Sequence, residues 1–195
     1  MPLDFDLINK STTHINDSFD AREITACEFL CFLKDFIYPP MLNKLMNHLD
    51  QDDSLVWHSS VGQENRPRKE IRWQFDSVIE EIHVVVETLT IKIEELQKKK
   101  LKFNGIMIWK DTAGYMYSRH KDIPTISAAI QIYLTEGHPE LNTKFYYKNN
   151  IYQSEYKINH GYFFDNSTRM EHGIENPVPA GHTRYSLYCH WSAVE

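Results

Sequence analysis

Short runs of β-branched and aromatic residues, separated by turn-forming segments, dominate the chain after Lys102. Such runs predict β-strands, and a succession of short strands favours a jelly-roll or a barrel. We therefore predict a β core over residues 103–195. The runs are GIMIW, YMYSRHKD, TISAAIQIYLT, TKFYYKN, IYQSEYKIN, GYFFDN and RYSLYCHWS.

The preceding 102 residues have a mainly helical pattern. Apolar residues recur at helical spacing from about Glu23 to Leu49, and Tyr38-Pro39-Pro40 interrupts them, because prolines can end one helix and open the next. Residues 75–100 predict one long helix whose apolar residues follow each other at steps of three and four. That apolar stripe consists of Ile79, Ile82, Val86, Leu89, Ile93 and Leu96.

Two segments of this first part lack helical periodicity. Residues 1–22 are polar and predict a loose arm or an edge strand, and residues 50–68 predict a loop with Trp57 as a strand residue. The fold class predicted is mainly β with flanking helices (α+β). A helical support region, residues 1–102, packs on the β core, and the whole chain is expected to be one domain.

Composition narrows the functional classes. The 195 residues are 42% hydrophobic and carry a net charge of −6, which argues against broad binding to nucleic-acid phosphates. Cys27, Cys31 and Cys189 have no zinc or disulfide spacing. The sequence shows no signal peptide and no apolar run that could span a membrane. We expect a cytoplasmic protein with no membrane partner.

The most specific chemical signal is His120-Lys121-Asp122, followed by His172 and Arg184. Side chains two residues apart on a strand point to the same side, so His120 and Asp122 can bind one ion together. A second histidine from a later strand completes two imidazoles and one carboxylate, the set expected of a non-haem Fe(II) oxygenase. An arginine shortly after it can bind the carboxylate of an organic co-substrate.

Two other segments also pair a histidine with a carboxylate. His48-Leu49-Asp50 follows a helical pattern, where residues two apart diverge by about 200°, so it predicts a solvated helix end. His138-Pro139-Glu140 lies among glycine, proline and asparagine and predicts a turn. The segment containing His120 is therefore the favoured metal site.

An ordered series of motifs resembles the 2-oxoglutarate/Fe(II)-dependent dioxygenases, and within them the prolyl-hydroxylase-like branch. The resemblance covers roughly residues 103–192 and implies a double-stranded β-helix fold. The motifs are YMYSRHKD, IQIYLT, NTKFYY, GYFFDNSTRMEHGIENP and HTRYSLY. One departure is the interval of twelve residues from His172 to Arg184, where ENPVPAG could form a longer turn.

The resemblance implies a role for each matching residue. His120, Asp122 and His172 would bind Fe(II), and Arg184 would pair with the distal carboxylate of 2-oxoglutarate. Asp122 favours hydroxylation, since related halogenases replace this carboxylate by a small residue. Fe(II), 2-oxoglutarate and O2 are the implied cofactors and co-substrates, with ascorbate as a possible reductant. Further residues implied around the co-substrate are Ser186, on the same strand face as Arg184, and Tyr133 and Tyr117.

The leading functional prediction is hydroxylation of a peptidyl side chain, with proline as the first guess. The segment 62–73 could cover the active site, and Arg66 and Arg68 would then contact the substrate. A free amino acid or other small metabolite is the alternative substrate, and a non-catalytic β-barrel sensor is the alternative from another class. Nucleic-acid dealkylation is disfavoured, because His190 occupies the position of that branch's second arginine.

Overall fold

Two antiparallel sheets and four α-helices build the part of the chain that the computed structural model describes, residues 3–27, 29–60, 66–168 and 170–194. The helices are α1 (Phe5–Asp20), α2 (Pro39–Leu49), α3 (Ser77–Glu87) and α4 (Thr90–Gln97). The strands are β1 (Glu23–Ile24), β2 (Leu30–Leu33), β3 (His58–Ser59), β4 (Arg68–Arg72), β5 (Leu101–Asp111), β6 (Tyr117–His120), β7 (Ala128–Tyr133), β8 (Lys144–Tyr147), β9 (Asn150–Gln153), β10 (Gly161–Asp165), β11 (Glu171–Ile174) and β12 (Arg184–Ala193).

The larger sheet has eight strands in the order β1-β2-β10-β7-β12-β5-β4-β3, and the smaller has four in the order β6-β11-β8-β9. One core cluster joins the helices to the larger sheet, and a second, rich in aromatic residues, lies between the two sheets. Strand β7 shows the consequence, because all six of its residues are buried. Ile130 and Ile132 belong to the first cluster, whereas Ala129 and Tyr133 belong to the second.

The β pattern predicted after Lys102 is confirmed, since each of the seven runs contains or overlaps a strand. The close approach of neighbouring strands within each sheet depends on glycine at two points. A Cβ on Gly161 would lie 1.9 Å from the backbone oxygen of Gln131, and one on Gly173 would lie 2.7 Å from that of Tyr117. Both distances are too short for any side chain, so these strands can approach only through glycine.

The prediction for residues 1–22 is wrong, because residues 5–20 form helix α1. Its buried residues Ile8, Ser11, Ile15 and Phe19 recur at helical spacing, and the Asp4 side chain caps the helix by accepting a hydrogen bond from the backbone N–H of Leu7. Helix α1 needs few apolar residues, because it packs on the core through one narrow stripe of buried residues.

The helix predicted from Glu23 to the prolines is also wrong. Strands β1 and β2 occupy this segment, and Leu30, Cys31 and Leu33 are buried. A strand covered on both faces has a continuous apolar run, which periodicity alone cannot distinguish from a buried helix. The second half of the prediction is confirmed, since α2 begins at Pro39.

The long helix predicted over residues 75–100 is two helices, α3 and α4, with a break at Thr88 and Leu89. Its apolar stripe is buried as predicted except for Leu96, which is exposed. The predicted loop 50–68 contains β3 directly after Trp57, and β4 begins at Arg68. The first 102 residues therefore contribute four strands to the larger sheet besides the four helices. None of the helices described is long and apolar enough to cross a membrane.

Candidate active site

The strand pairing of the smaller sheet brings the three predicted metal ligands together. His120 ends β6 and is the direct cross-strand partner of His172 on β11, while Asp122 follows two residues after His120. An Asp122 carboxylate oxygen lies 3.5 Å from the Nε2 atom of each histidine. All three potential ligand atoms lie within 4.8 Å of one another, close enough to bind one ion.

Backbone carbonyls orient both imidazole rings. The Nδ1 atom of His120 lies 2.9 Å from the carbonyl oxygen of Ser118, and that of His172 lies 3.3 Å from the carbonyl oxygen of Met170. Because a carbonyl only accepts, Nδ1 carries the hydrogen in each neutral ring. Both Nε2 atoms then present a lone pair toward Asp122, an orientation that favours metal binding.

The surroundings of the site favour the protonation states that a metal requires. Burial lowers the pKa of His172, so its ring is neutral near pH 7. Burial raises the pKa of Asp122, but its interactions with His120 and His172 outweigh the effect of burial, so the net pKa is lowered. A neutral imidazole and an ionised carboxylate can bind a divalent cation without first releasing a proton.

The three residues lie between two connected cavities. The outer cavity has a volume of about 550 Å³, and the inner cavity measures about 50 Å³. Besides His120 and Asp122, the residues common to both are Trp109, Tyr117 and Tyr188. The inner cavity is further lined by Arg68, Gln131, Thr143, Tyr162, His172 and Gly173. The outer one is further lined by Glu70, Arg72, Met107, Ile123 and His190, among others.

Arg184 is fully buried behind the inner cavity. Its Nη1 atom lies 2.8 Å from a carboxylate oxygen of Asp111, and its Nε donates to the carbonyl oxygen of Leu141. Its Nη2 atom is buried and has no hydrogen-bond partner among the described residues. The predicted binding residue thus already pairs with a carboxylate and retains one unused donor group.

The other residues predicted around the co-substrate make hydrogen bonds and ring contacts within the protein. The Tyr133 hydroxyl accepts a hydrogen bond from the backbone N–H of Thr143 at 2.9 Å, and the Ser186 hydroxyl accepts one from the Gln131 amide at 2.9 Å. The ring centres of Tyr117 and His120 are 3.8 Å apart. Tyr117 lines both cavities directly, whereas Ser186 is next to the inner cavity through Gln131.

The predicted substrate loop is corrected by the structure. Arg68 belongs to strand β4 and is 3% exposed. Its side chain pairs with Asp111 and lines the inner cavity. Arg66 is exposed, and its guanidinium lies 4.2 Å from the centre of the Tyr117 ring. Trp73 stacks on His83 at 3.9 Å, so it packs on helix α3. Residues 62–65, which complete this segment, lie outside the described residues.

The two competing histidine–carboxylate motifs lie at a helix end and in a turn, as predicted, but His48 is half-buried and not solvated. His48 is in the last turn of α2 and pairs with Asp76 at 2.6 Å. His138 pairs with Glu140 at a short turn. Neither belongs to a group of metal-ligating side chains among the described residues.

Sequence reasoning missed Asp111, Trp109 and Thr143. Trp109 and Thr143 line the inner cavity, and each carries a buried polar atom, Nε1 and Oγ1 respectively, with no hydrogen-bond partner among the described residues. Because buried polar atoms are nearly always paired, these donors and the unused Arg184 Nη2 suit a small anionic ligand. The signal available beforehand was an aspartate at the end of the apolar run GIMIWKD.

Solved structures similar to this chain include several prolyl hydroxylases and an oxidoreductase of the 2-oxoglutarate/Fe(II) oxygenase family. A Trichoplax adhaerens prolyl hydroxylase, in complex with a peptide fragment of the hypoxia-inducible factor oxygen degradation domain, is 16% identical, with a TM-score of 0.69 over 96% of this chain and 90% of that chain. A Pseudomonas putida prolyl-4-hydroxylase is 14% identical, with a TM-score of 0.68 over 94% and 99%. The viral collagen prolyl hydroxylase of Paramecium bursaria Chlorella virus-1 is 17% identical, with a TM-score of 0.58 over 88% and 100%.

At these identities the likeness establishes the fold. No protein-family model matches the sequence, and no curated protein matches it.

Proposed function

We propose that this chain is an Fe(II)- and 2-oxoglutarate-dependent dioxygenase that hydroxylates a peptidyl side chain, with proline as the first candidate. The observation that carries the proposal is the convergence of His120, Asp122 and His172 beside a small buried cavity. Arg68 lines that cavity and Arg184 lies behind it. The Nε1 atom of Trp109 and the Nη2 atom of Arg184 are hydrogen-bond donors with no partner among the described residues. The fold adds support, because solved structures similar to this chain include prolyl hydroxylases.

In this proposal His120, Asp122 and His172 hold the iron, leaving three coordination positions open. The bound iron and 2-oxoglutarate supply the oxidation of a substrate C–H bond by O2. Arg184 and the inner cavity bind the distal carboxylate, with Ser186 and Tyr133 supporting it and Tyr117 packing beside the metal. Ascorbate would serve as a reductant that keeps the iron in its Fe(II) state.

The finer structural and cellular expectations belong to the same proposal. The two facing antiparallel sheets would form a double-stranded β-helix core, and residues 1–195 would be one domain. A cytoplasmic location is supported by the absence of any disulfide among the three cysteines, all of which are buried. A reducing compartment would also keep iron in the Fe(II) state.

A peptide substrate is supported by the shape and lining of the outer cavity. Its wall contains the stacked rings of Trp109 and Tyr188, 4.1 Å apart, and His190 extends the stack at 5.7 Å from Tyr188. The edges of such rings can pack against a pyrrolidine ring. The similar Trichoplax structure is a complex with a peptide fragment, so an enzyme with this fold can bind a peptide.

We expect the purified chain to convert 2-oxoglutarate to succinate when Fe(II), O2 and a suitable peptide are present. The assay measures succinate and the incorporation of one oxygen atom into each member of a panel of proline-containing peptides and free amino acids. Omission of iron is the control for each reaction. If the metal-loaded chain binds 2-oxoglutarate but no panel member accelerates succinate formation, the sensor alternative gains support.

Arg66→Ala should weaken peptide turnover but leave peptide-independent decarboxylation of 2-oxoglutarate nearly unchanged. The reason is its exposed position over Tyr117, at the edge of the metal site. Loss of a cation–π and polar contact predicts a several-fold rise in the peptide KM, on the order of 1 kcal/mol. Lys69→Met, which removes a neighbouring exposed cation, is the control. An unchanged peptide KM would place peptide recognition elsewhere.

A small zwitterionic substrate is the second candidate, and one observation favours it. Glu70 is 3% exposed on the wall of the outer cavity, where it accepts hydrogen bonds from Ser60 and Arg72. A buried carboxylate beside an arginine can bind the ammonium and carboxylate groups of a free amino acid. Activity with a free amino acid and none with the peptides would favour this candidate.

A further inference from the structure

Three charged side chains form one buried cluster between neighbouring strands of the larger sheet. Asp111 on β5 is the direct cross-strand partner of Arg68 on β4 and also of Arg184 on β12. Its two carboxylate oxygens lie 2.5 Å from Arg68 Nε and 2.8 Å from Arg68 Nη2, and one of them also lies 2.8 Å from Arg184 Nη1. The strand register therefore fixes the carboxylate between two guanidinium groups.

The cluster has a net charge of +1. Both arginines stay protonated in proteins, and one carboxylate balances only one of them. All three residues are at most 3% exposed, so bulk water compensates little of the excess charge. A buried, unbalanced charge is costly, and Arg184 also keeps one buried donor atom without a partner. Both features suit one additional carboxylate.

The arginine that faces the inner cavity is Arg68. It lines this cavity beside the metal-binding residues, whereas Arg184 is not part of the lining. The Arg68 guanidinium is held between two aromatic rings, 3.9 Å from the centre of the Trp109 ring and 4.2 Å from that of Tyr115. A guanidinium fixed by stacking and by a bidentate carboxylate loses little freedom when it binds a ligand.

We propose that Arg68 is a second binding residue for the distal carboxylate of 2-oxoglutarate and that Asp111 sets the charge of this pocket by neutralising one of two arginines. The inference rests on the proposed function and extends it. Arg184 alone would be neutralised by Asp111, and Arg68 restores the single positive charge that the co-substrate requires. The pocket thus uses three charged groups to bind one carboxylate.

The test measures 2-oxoglutarate binding to Mn(II)-loaded protein by anaerobic calorimetry, without turnover. Arg68→Met should weaken binding by roughly 10- to 100-fold, the effect of losing a charged hydrogen bond. The double variant Arg68→Met/Asp111→Asn should recover at least about tenfold of that loss, because Arg184 is then released from Asp111. Lys69→Met, an exposed cation one residue along the same strand, is the matched control and should bind as the unaltered protein does.

Pyruvate separates a specific effect from general damage, since it keeps the keto acid that binds the metal but lacks the distal carboxylate. Pyruvate affinity should be the same with and without Arg68, and Mn(II) affinity and the melting temperature show whether each variant is folded. Unchanged 2-oxoglutarate affinity in Arg68→Met, an equal loss for pyruvate, or a double variant no better than the single one would each overturn the inference. Failure of the unaltered, metal-loaded protein to bind 2-oxoglutarate would instead contradict the proposed function.

Discussion

His172→Ala is expected to abolish turnover and to weaken metal binding sharply while the sheets remain folded. The ring of His172 supplies one of three ligand atoms that converge on one point, and its Nδ1 hydrogen is already fixed by the carbonyl oxygen of Met170. Loss of an outer partner of a metal ligand typically costs 10- to 100-fold, so loss of the ligand itself should cost more than about 100-fold in turnover. Succinate formation and Mn(II) binding are the measurements.

The matched control is the same substitution at His138. This histidine also has a carboxylate two residues further along the chain, but it is in a surface turn, where it pairs with Glu140 and its ring lies 4.5 Å from that of His182. His138→Ala should leave metal affinity and turnover unchanged. Because His172 also packs against Phe145 and Phe164, circular dichroism must show that His172→Ala is folded. Normal turnover in a folded His172→Ala protein would contradict the assignment of all three ligands.

The sequence was most informative where local geometry determines the outcome. Alternation along a strand puts His120 and Asp122 on one side, and the chemistry of two imidazoles and a carboxylate points to a metal. The pairing of β6 with β11 then places His172 opposite His120. That pairing could be inferred only from a resemblance, because register between strands depends on distant residues.

The charge cluster shows what one sequence does not reveal. Arg68 and Asp111 are 43 positions apart, and Arg184 is 73 positions after Asp111. Each one alone would be expected at the surface, since charged residues are rarely buried unless paired. Only the order of β4, β5 and β12 in the sheet brings them together. The local sequence therefore predicts a substrate loop at Arg68, whereas its side chain is buried on strand β4.

The secondary structure predicted for two segments of the helical support region is wrong for a related reason. In β2 both faces are buried, so the apolar residues from Leu30 to Leu33 are continuous and fit a helix equally well. In α1 the buried stripe is narrow, and the polar residues around it concealed the helical period. Burial on one or two faces is decided by which elements pack there, and the local sequence does not contain that information.

Asp111→Asn is expected to destabilise the protein more than any surface substitution. The change leaves Arg68 and Arg184 buried next to each other with no counter-charge, and removal of one partner from a buried ion pair typically costs about 3–5 kcal/mol. Chemical unfolding of the metal-free protein gives the free energy of unfolding for each variant. Asp6→Asn, in which the exposed pair with Lys10 is lost, is the control and should leave the free energy of unfolding nearly unchanged.

Two further measurements connect this instability to ligand binding. Arg68→Met/Asp111→Asn leaves only one buried arginine, so it should be more stable than Asp111→Asn despite carrying an additional substitution. 2-Oxoglutarate should raise the melting temperature of Mn(II)-loaded Asp111→Asn more than that of the unaltered protein, because its carboxylate replaces the missing charge. If Asp111→Asn unfolds like the unaltered protein, the two arginines do not depend on Asp111, and the pocket's charge must be balanced by other groups.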